Sequence, residues 1–368
     1  MNPLLQRLGI DLPIIQGPMA GSDTPRLATA VSQAGGLGML GCGMRSPEAI
    51  AEAAAAVRAA TGKPFGMNLF VQAMPSPDPA VVQAAMARLA PLYAEFGLAP
   101  EVPARWCEDF GAQFEALIAA RPAVASFTFG ILDAAQVRRL KDEAGSFVIG
   151  TATTPAEALA WQAVGADAVC ASGMEAGGHR GTFLPRSGMA EGRGQPSAED
   201  FAAGMIGTMA LVPQCVDALS IPVIAAGGIM DGRGIAAAQA LGAQAAQLGT
   251  AFLACAESGI VPAQRAAMAA AGAMDTRVTR IYSGRPARGI VNAMMERLAG
   301  DEASVPPYPV QNVLTGPLRR AAAAQGRADH LSLWAGQGVA AARALPAAEL
   351  MAQLAREWRT ACGALSMS

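Results

Sequence analysis

Short apolar runs recur along the chain, each bounded by glycine, proline or polar residues, with alanine-rich stretches of helical character between them. Eight such runs precede residue 255: Pro13 to Gln16, Gly38 to Leu40, Phe65 to Phe70, Val124 to Phe129, Phe147 to Gly150, Ala168 to Ala171, Pro222 to Ala226 and Ala245 to Gly249. Short, continuously apolar runs are the signature of strands buried on both faces of a parallel sheet. The stretches Thr24 to Ala34, Pro47 to Ala60, Pro79 to Glu95, Ala134 to Ala144, Pro155 to Val164 and Arg233 to Leu241 read as helices. Several open on proline, which suits a first turn because its missing N–H would have no partner there. Strand and helix alternate, so parallel strands with crossover helices are the economical arrangement. A doubly wound open sheet fits the same alternation. Eight strands close a parallel barrel, however, and glycine-rich turns follow the seventh and eighth. The predicted fold is therefore α/β, a (β/α)8 TIM barrel over residues 1–255.

Two stretches break the rhythm. Residues 183–215, including Glu191-Gly192-Arg193-Gly194-Gln195-Pro196-Ser197, are polar and turn-rich and read as an insertion that forms an active-site loop or lid. After residue 255 the alternation stops. Residues 256–368 read as a mainly helical region packed over the barrel mouth and contributing to the substrate site, with helical character in 263–271, 289–298, 317–325 and 346–362.

Composition narrows the function. Hydrophobic residues make up 52% and charged residues 15%, but the apolar excess is mostly alanine and no run is long enough for a membrane span. The amino terminus lacks a basic start and a long apolar core, so a cytoplasmic location is expected. Net charge is −2 and the only lysines are Lys63 and Lys141, which argues against a phosphate-tracking nucleic-acid surface and for small-molecule partners. The six cysteines are scattered without a C-x-x-C pair, so neither zinc nor a disulfide framework is expected. Monomer and homodimer both remain open.

The chemistry concentrates in Gly173-Met174-Glu175-Ala176-Gly177-Gly178-His179-Arg180-Gly181, which holds one of the two histidines and follows the sixth strand. Active-site groups of α/β folds sit at the carboxyl ends of strands, and imidazole titrates near neutral pH, so His179 is the candidate base. A solvated surface turn is the competing reading of the same residues. Gly227 and Gly228 after strand seven, and Gln247-Leu248-Gly249-Thr250 at the end of strand eight, lie where barrels build phosphate sites from backbone N–H groups. Gly17-Pro18-Met19 follows strand one. Asn68 stands among apolar neighbours in strand three, where its amide needs a partner, either a flavin ring edge or a nearby backbone group. No Gly-x-Gly-x-x-Gly turn follows the first strand, which argues against a nicotinamide-binding Rossmann unit.

The chain resembles the nitronate monooxygenases of the class I type, formerly 2-nitropropane dioxygenases. The residues that carry the likeness are Pro13 to Gly21, Gly66 to Phe70, Gly173 to Gly181, Ala225 to Ile229, Gln247 to Thr250, Ser283 to Arg288, Tyr308 to Asn312 and Ser332 to Gly338. The resemblance implies a metal-free, FMN-dependent enzyme that uses O2 to oxidise alkyl nitronates to a carbonyl compound and nitrite. In it His179 matches the base, and Asn68, Gly177, Gly228 and Gln247 to Thr250 match positions that hold FMN; Gly178 and Gly227 lie in the same turns. Ser172 departs from the pattern, since the family commonly has glutamine there, and a shorter hydroxyl reaches less far. Imidazole suits the proton abstraction without a large pKa shift. Arg180 favours an anionic substrate or is solvated; Tyr308 and Arg285 are further candidate substrate contacts; His330 reads as structural or surface. Flavin-dependent enoyl-acyl-carrier-protein reductases resemble the chain around Gly173 to Gly178, and NADH:quinone reductases share the barrel; these NAD(P)H-using reductases, and a catalytically idle flavin-binding protein, are the alternatives.

Overall fold

The computed structural model describes residues 2–185 and 196–366, and within them the apolar runs form strands in the predicted order. The strands are β1 (Ile14–Gln16), β2 (Gly38–Gly41), β3 (Phe65–Phe70), β4 (Val124–Thr128), β5 (Phe147–Ala152), β6 (Ala168–Ser172), β7 (Gly178–His179), β8 (Val223–Ala226), β9 (Ala245–Leu248), β10 (Thr276–Thr279) and β11 (Ala287–Ile290). Eight of them pair in parallel in the order β1-β9-β8-β6-β5-β4-β3-β2. A parallel bridge between Ile15 and Leu37 brings the two ends together, and the (β/α)8 TIM barrel closes. Side chains alternate between two cores. Ile15, Met39, Val124, Ile149, Cys170 and Ile224 fill the barrel, and the helix Pro3–Leu8 plugs its bottom with Leu4 and Leu8. The intervening strand residues, such as Leu40, Phe127, Val169 and Leu248, face the surrounding helices.

Five helices begin with the same local device, the first being Pro3–Leu8, whose cap Asn2 accepts the Leu4 N–H. Thr24, Ser46, Asp78 and Thr154 each accept a backbone N–H of the first turn through the side-chain oxygen, and proline follows directly. Such a cap stabilises a helix by about 1 kcal/mol, and proline fixes the first helical φ. Where strand and helix come closest, only glycine fits: a Cβ on Gly150 would lie 2.1 Å from the ring of Trp161.

Three parts of the architecture differ from expectation. The helix Pro79–Glu95 buries Leu89, Leu92 and Tyr93 in a core shared with the helix Val310–Ala324, on which it packs outside the barrel wall. The β3 to β4 crossover is closed by Phe110–Ala120, which packs on Pro47–Ala60 and β3. Within the expected insertion at 183–215, Thr208–Ala218 is the crossover helix between β6 and β8, and Ala198–Ala203 is a short helix before it; Glu191 to Gln195 lie outside the described residues. Finally, the helix Ala347–Ser366 packs on Gly232–Ala240 and Pro25–Gln33, filling the eighth position of the barrel wall. Residues 256–346 are thus inserted between β9 and the last barrel helix, and they are not only helical, since β10 and β11 form an antiparallel sheet with β7.

Leu354, fully buried in that last helix among barrel-wall residues, reports on this assignment. Leu354→Ala is expected to lower stability by about 2–5 kcal/mol in urea unfolding. The loss is expected in the main transition of the barrel, because the helix belongs to its wall.

Candidate active site

At the carboxyl ends of the barrel strands lies a cavity of about 370 Å³, within the size range of small-molecule sites. It gathers nearly all the residues singled out from sequence: Gly17, Pro18 and Met19 beyond β1, Asn68 in β3, Ser172 at the end of β6, Gly177, Gly178 and His179, Gly227 and Gly228 beyond β8, and Gln247, Gly249 and Thr250 at β9. Leu248 is the exception. Alternation along β9 points Gln247 inward and Leu248 outward into the helix-facing core, so only the Leu248 backbone takes part, its carbonyl accepting the N–H of Gly17 at 2.8 Å.

His179 is not on a free loop. It forms the two-residue strand β7 with Gly178, paired antiparallel to β11 with His179 opposite Ala287. The Arg180 N–H donates to Pro286 O at 2.8 Å and continues the pairing. The preceding turn is fixed by Glu175, whose carboxylate accepts the N–H and hydroxyl of Thr208, and whose carbonyl accepts the N–H of Gln337. Gly177 owes its identity to this docking: a Cβ there would lie 2.5 Å from the backbone nitrogen of Gly336. After β7 the chain is held by Glu157, fully buried, which accepts the N–H groups of Phe183 and Leu184 as well as the N–H and hydroxyl of Thr153.

The His179 ring is boxed by aromatic rings, with centroids of Phe129, Tyr308 and Trp334 at 5.6, 5.6 and 5.3 Å. Its Nε2 is sealed from solvent and has no hydrogen-bond partner. Burial, helped by the positive charges of Arg285 and Arg319, pushes its pKa down to about 3. The expectation of a base with little shift is therefore corrected: burial beside two guanidiniums favours the neutral imidazole.

Arg180 is neither solvated nor aimed at the cavity. It is buried, and its guanidinium donates to the carbonyls of Ser172, Gly173 and Gly204. Arg285 lies behind Phe129, its guanidinium 4.2 Å from that ring, and donates to the carbonyls of Arg180 and Thr182. Tyr308 does line the cavity; Arg285 does not. His330 is buried far from it, beside Phe96 and in contact with Asp329, which makes it structural.

At the opposite end, Gly227 and Gly228 have φ of 109° and 72°, conformations that favour glycine, and turn the backbone at the end of β8. Asn68 donates to the hydroxyls of Ser126 and Thr128, at 2.9 and 3.3 Å, so its amide nitrogen is satisfied by side chains, not by the backbone. The β1 loop is pinned by Asp23, a residue with no sequence signal, whose Oδ2 accepts the N–H groups of Met19 and Gly41. Burial raises the Asp23 pKa to about 7.

Sequence reasoning also passed over Phe129, Asn312 and Arg319 in the lining. For the last two a signal existed. Gln311, Asn312, Thr315 and Arg319 recur at helical spacing as a polar stripe that faces protein, not solvent. Among the described residues, no group of three histidine, cysteine or acidic side chains is placed to hold a metal ion, and no helix is long and apolar enough to cross a membrane.

Residues 2–357 match the family model for nitronate monooxygenase. The chain is 45% identical over 358 residues to a nitronate monooxygenase of Pseudomonas aeruginosa, covering 96% of this chain and 97% of that one. It is 43% identical over 362 residues to a nitronate monooxygenase of Paraburkholderia phytofirmans, covering 96% and 94%. Among solved structures, nitroalkane oxidase from Streptomyces ansochromogenes matches with a TM-score of 0.88 at 43% identity, over 98% of this chain and 99% of that one. FabK from Thermotoga maritima matches with a TM-score of 0.75 at 30% identity, over 100% and 98%. The likeness runs through barrel, cavity loops and inserted region alike, and by it the chain belongs to the nitronate monooxygenase family.

Proposed function

We propose that the protein is an FMN-dependent enzyme that oxidises alkyl nitronates with O2 to a carbonyl compound and nitrite, and that His179 is its base toward neutral nitroalkanes. The observation that carries this reading is the Nε2 of His179, buried, unpartnered and set in the wall of the cavity. A buried polar atom without a partner is rare and calls for an explanation; a substrate proton to accept supplies one.

Two features support FMN as the cofactor. The turns at Gly227, Gly228, Gly249 and Thr250 would hold its phosphate on backbone N–H groups. A Cβ at Gly178 would meet no protein atom within 4 Å, so that side of the cavity is lined by bare backbone against which a flat ring can lie. Gly17, Pro18, Met19, Asn68, Ser172, Gly177 and Gln247 would surround the ring. The flavin supplies the electron transfer that no side chain here can perform. The chain's own work is to exclude water with Phe129, Tyr308 and Trp334, to orient the substrate, and to take its α-proton onto Nε2. No observation favours NAD(P)H as a second substrate.

Heat release of the chromophore from purified protein is expected to yield FMN by mass; FAD, or no flavin in repeated preparations, would count against the cofactor. His179→Asn is expected to lower oxidation of a neutral nitroalkane by about a hundredfold or more. Oxidation of preformed nitronate should fall much less, since no proton is removed, and equal losses with FMN still bound would sink the base assignment. The pH profile gives a third check. Because burial lowers the His179 pKa to about 3, the base form persists well below neutrality, and kcat/KM for a neutral nitroalkane should show no inflection near the ordinary value of 6.5. An inflection there would mean that the free site is wetter than its aromatic box implies.

A further inference from the structure

Arg319 is the one charged side chain that lines the cavity among the described residues, and no carboxylate faces it there. Its guanidinium bonds through Nη2, to Asn312 O at 2.7 Å and Asn312 Oδ1 at 2.9 Å, both acceptors neutral. Its Nε is sealed from solvent and without a partner, and no ion pair involves it among the described residues. The other buried guanidiniums beside the site, those of Arg180 and Arg285, donate to backbone carbonyls and stand outside the cavity lining, although the Nε of Arg180, like that of Arg319, has no partner. Arg319 is also held in place. The helix Val310–Ala324 that carries it is anchored by Gln311 Nε2 on Ile281 O at 2.7 Å and by Tyr93 Oη on Leu314 O at 2.6 Å. A fixed guanidinium that lines the cavity, with donors beyond those given to Asn312, is a receptor for a planar anion with two or three oxygens.

We infer that Arg319 is the anion-binding residue of this cavity and that it receives the two oxygens of the substrate's nitro or nitronate group, holding the α-carbon toward His179. This rests on the nitronate reading above for the identity of the substrate, but not for the existence of the anion subsite. The nitronate charge is spread over two coplanar oxygens, which match the guanidinium fork. With a neutral nitroalkane the same oxygens gain charge as the α-proton moves to Nε2, so the contact strengthens along the reaction. The positive charge of Arg319 that disfavours an imidazolium is offset once an anion lies between them.

The test uses inorganic nitrate, a planar anion of similar oxygen geometry, titrated calorimetrically into the purified holoprotein at constant ionic strength. Wild type and Arg319→Lys are expected to bind it, and Arg319→Met to bind it about ten- to a hundredfold more weakly, as for a lost charge-assisted hydrogen bond. KM for preformed nitronate should rise in the Met variant by a similar factor, more than kcat falls. Nitrate binding that is absent in wild type, or unchanged in a folded Arg319→Met protein, would overturn the inference. If the Met variant does not fold, the Lys variant decides: nitrate affinity and nitronate KM within about threefold of wild type support a charge at this position, and complete loss of nitrate binding in a folded Lys variant overturns its role as a receptor. Nitronate oxidation with a normal KM in Arg319→Met leaves the proposed reaction standing and removes the subsite. Arg319-dependent nitrate binding without nitronate turnover does the reverse.

Discussion

The site depends on how a buried, irregular stretch of backbone finds its hydrogen bonds. Residues 173–182 run between barrel and inserted region with only Gly178 and His179 in regular pairing, so their carbonyls need donors from elsewhere. Three arginines supply them: Arg180 to Gly173, and to Ser172 just before it, Arg285 to Arg180 and Thr182, and Arg288 to Met174. Each carbonyl left bare would cost about 1–3 kcal/mol. Burial lowers the pKa of Arg180 to about 10 and of Arg285 to about 9, neighbouring arginines adding to the shift and Glu157 opposing it in both. Scaffold and electrostatics are therefore one problem, because the groups that position the histidine also set the field in which it works.

That field, added to burial, explains why the histidine is so weak a base. Burial and two nearby guanidiniums disfavour its charged form. A neutral imidazole with an unpartnered Nε2 is nonetheless what the proposed proton abstraction requires, and its driving force would come from the bound substrate. In the proposed reaction, charge developing on the nitro oxygens at Arg319 as the α-proton leaves would cancel part of the repulsion and favour the imidazolium. A surface histidine would be more basic at rest but would meet water first.

How much of this was legible in the chain follows from which interactions are local. The barrel strands were readable because burial on both faces makes each a short apolar run, and the proline-led helices because cap and proline are adjacent in sequence. Thr208–Ala218 escaped because Pro213 stands inside it, where proline normally ends a helix. Phe110–Ala120 escaped because it is apolar nearly all round and its periodicity is weak. Ala347–Ser366 was recognised as helical, but its place in the wall rests on contacts more than a hundred residues away, such as the Glu357 carboxylate accepting the Gly232 N–H. Arg180 misled for the same reason, since nothing beside it in sequence reveals the carbonyls it serves.

The most consequential of these non-local ties is the pairing of β7 with β11. A two-residue strand has no register of its own; it inherits one from its partner, and β11 is in turn bridged at Gly289 to Trp334, which packs on the histidine ring. Side chains along a strand alternate between faces, so a slip of one residue would turn His179 away from the cavity and present Gly178 in its place. The orientation of the candidate base is thus specified by residues 287–290 and 334, far along the chain from the glycine-rich turn that draws the eye. The inserted region does more than roof the barrel: without its strand, the motif after β6 would lack the contact that aims it.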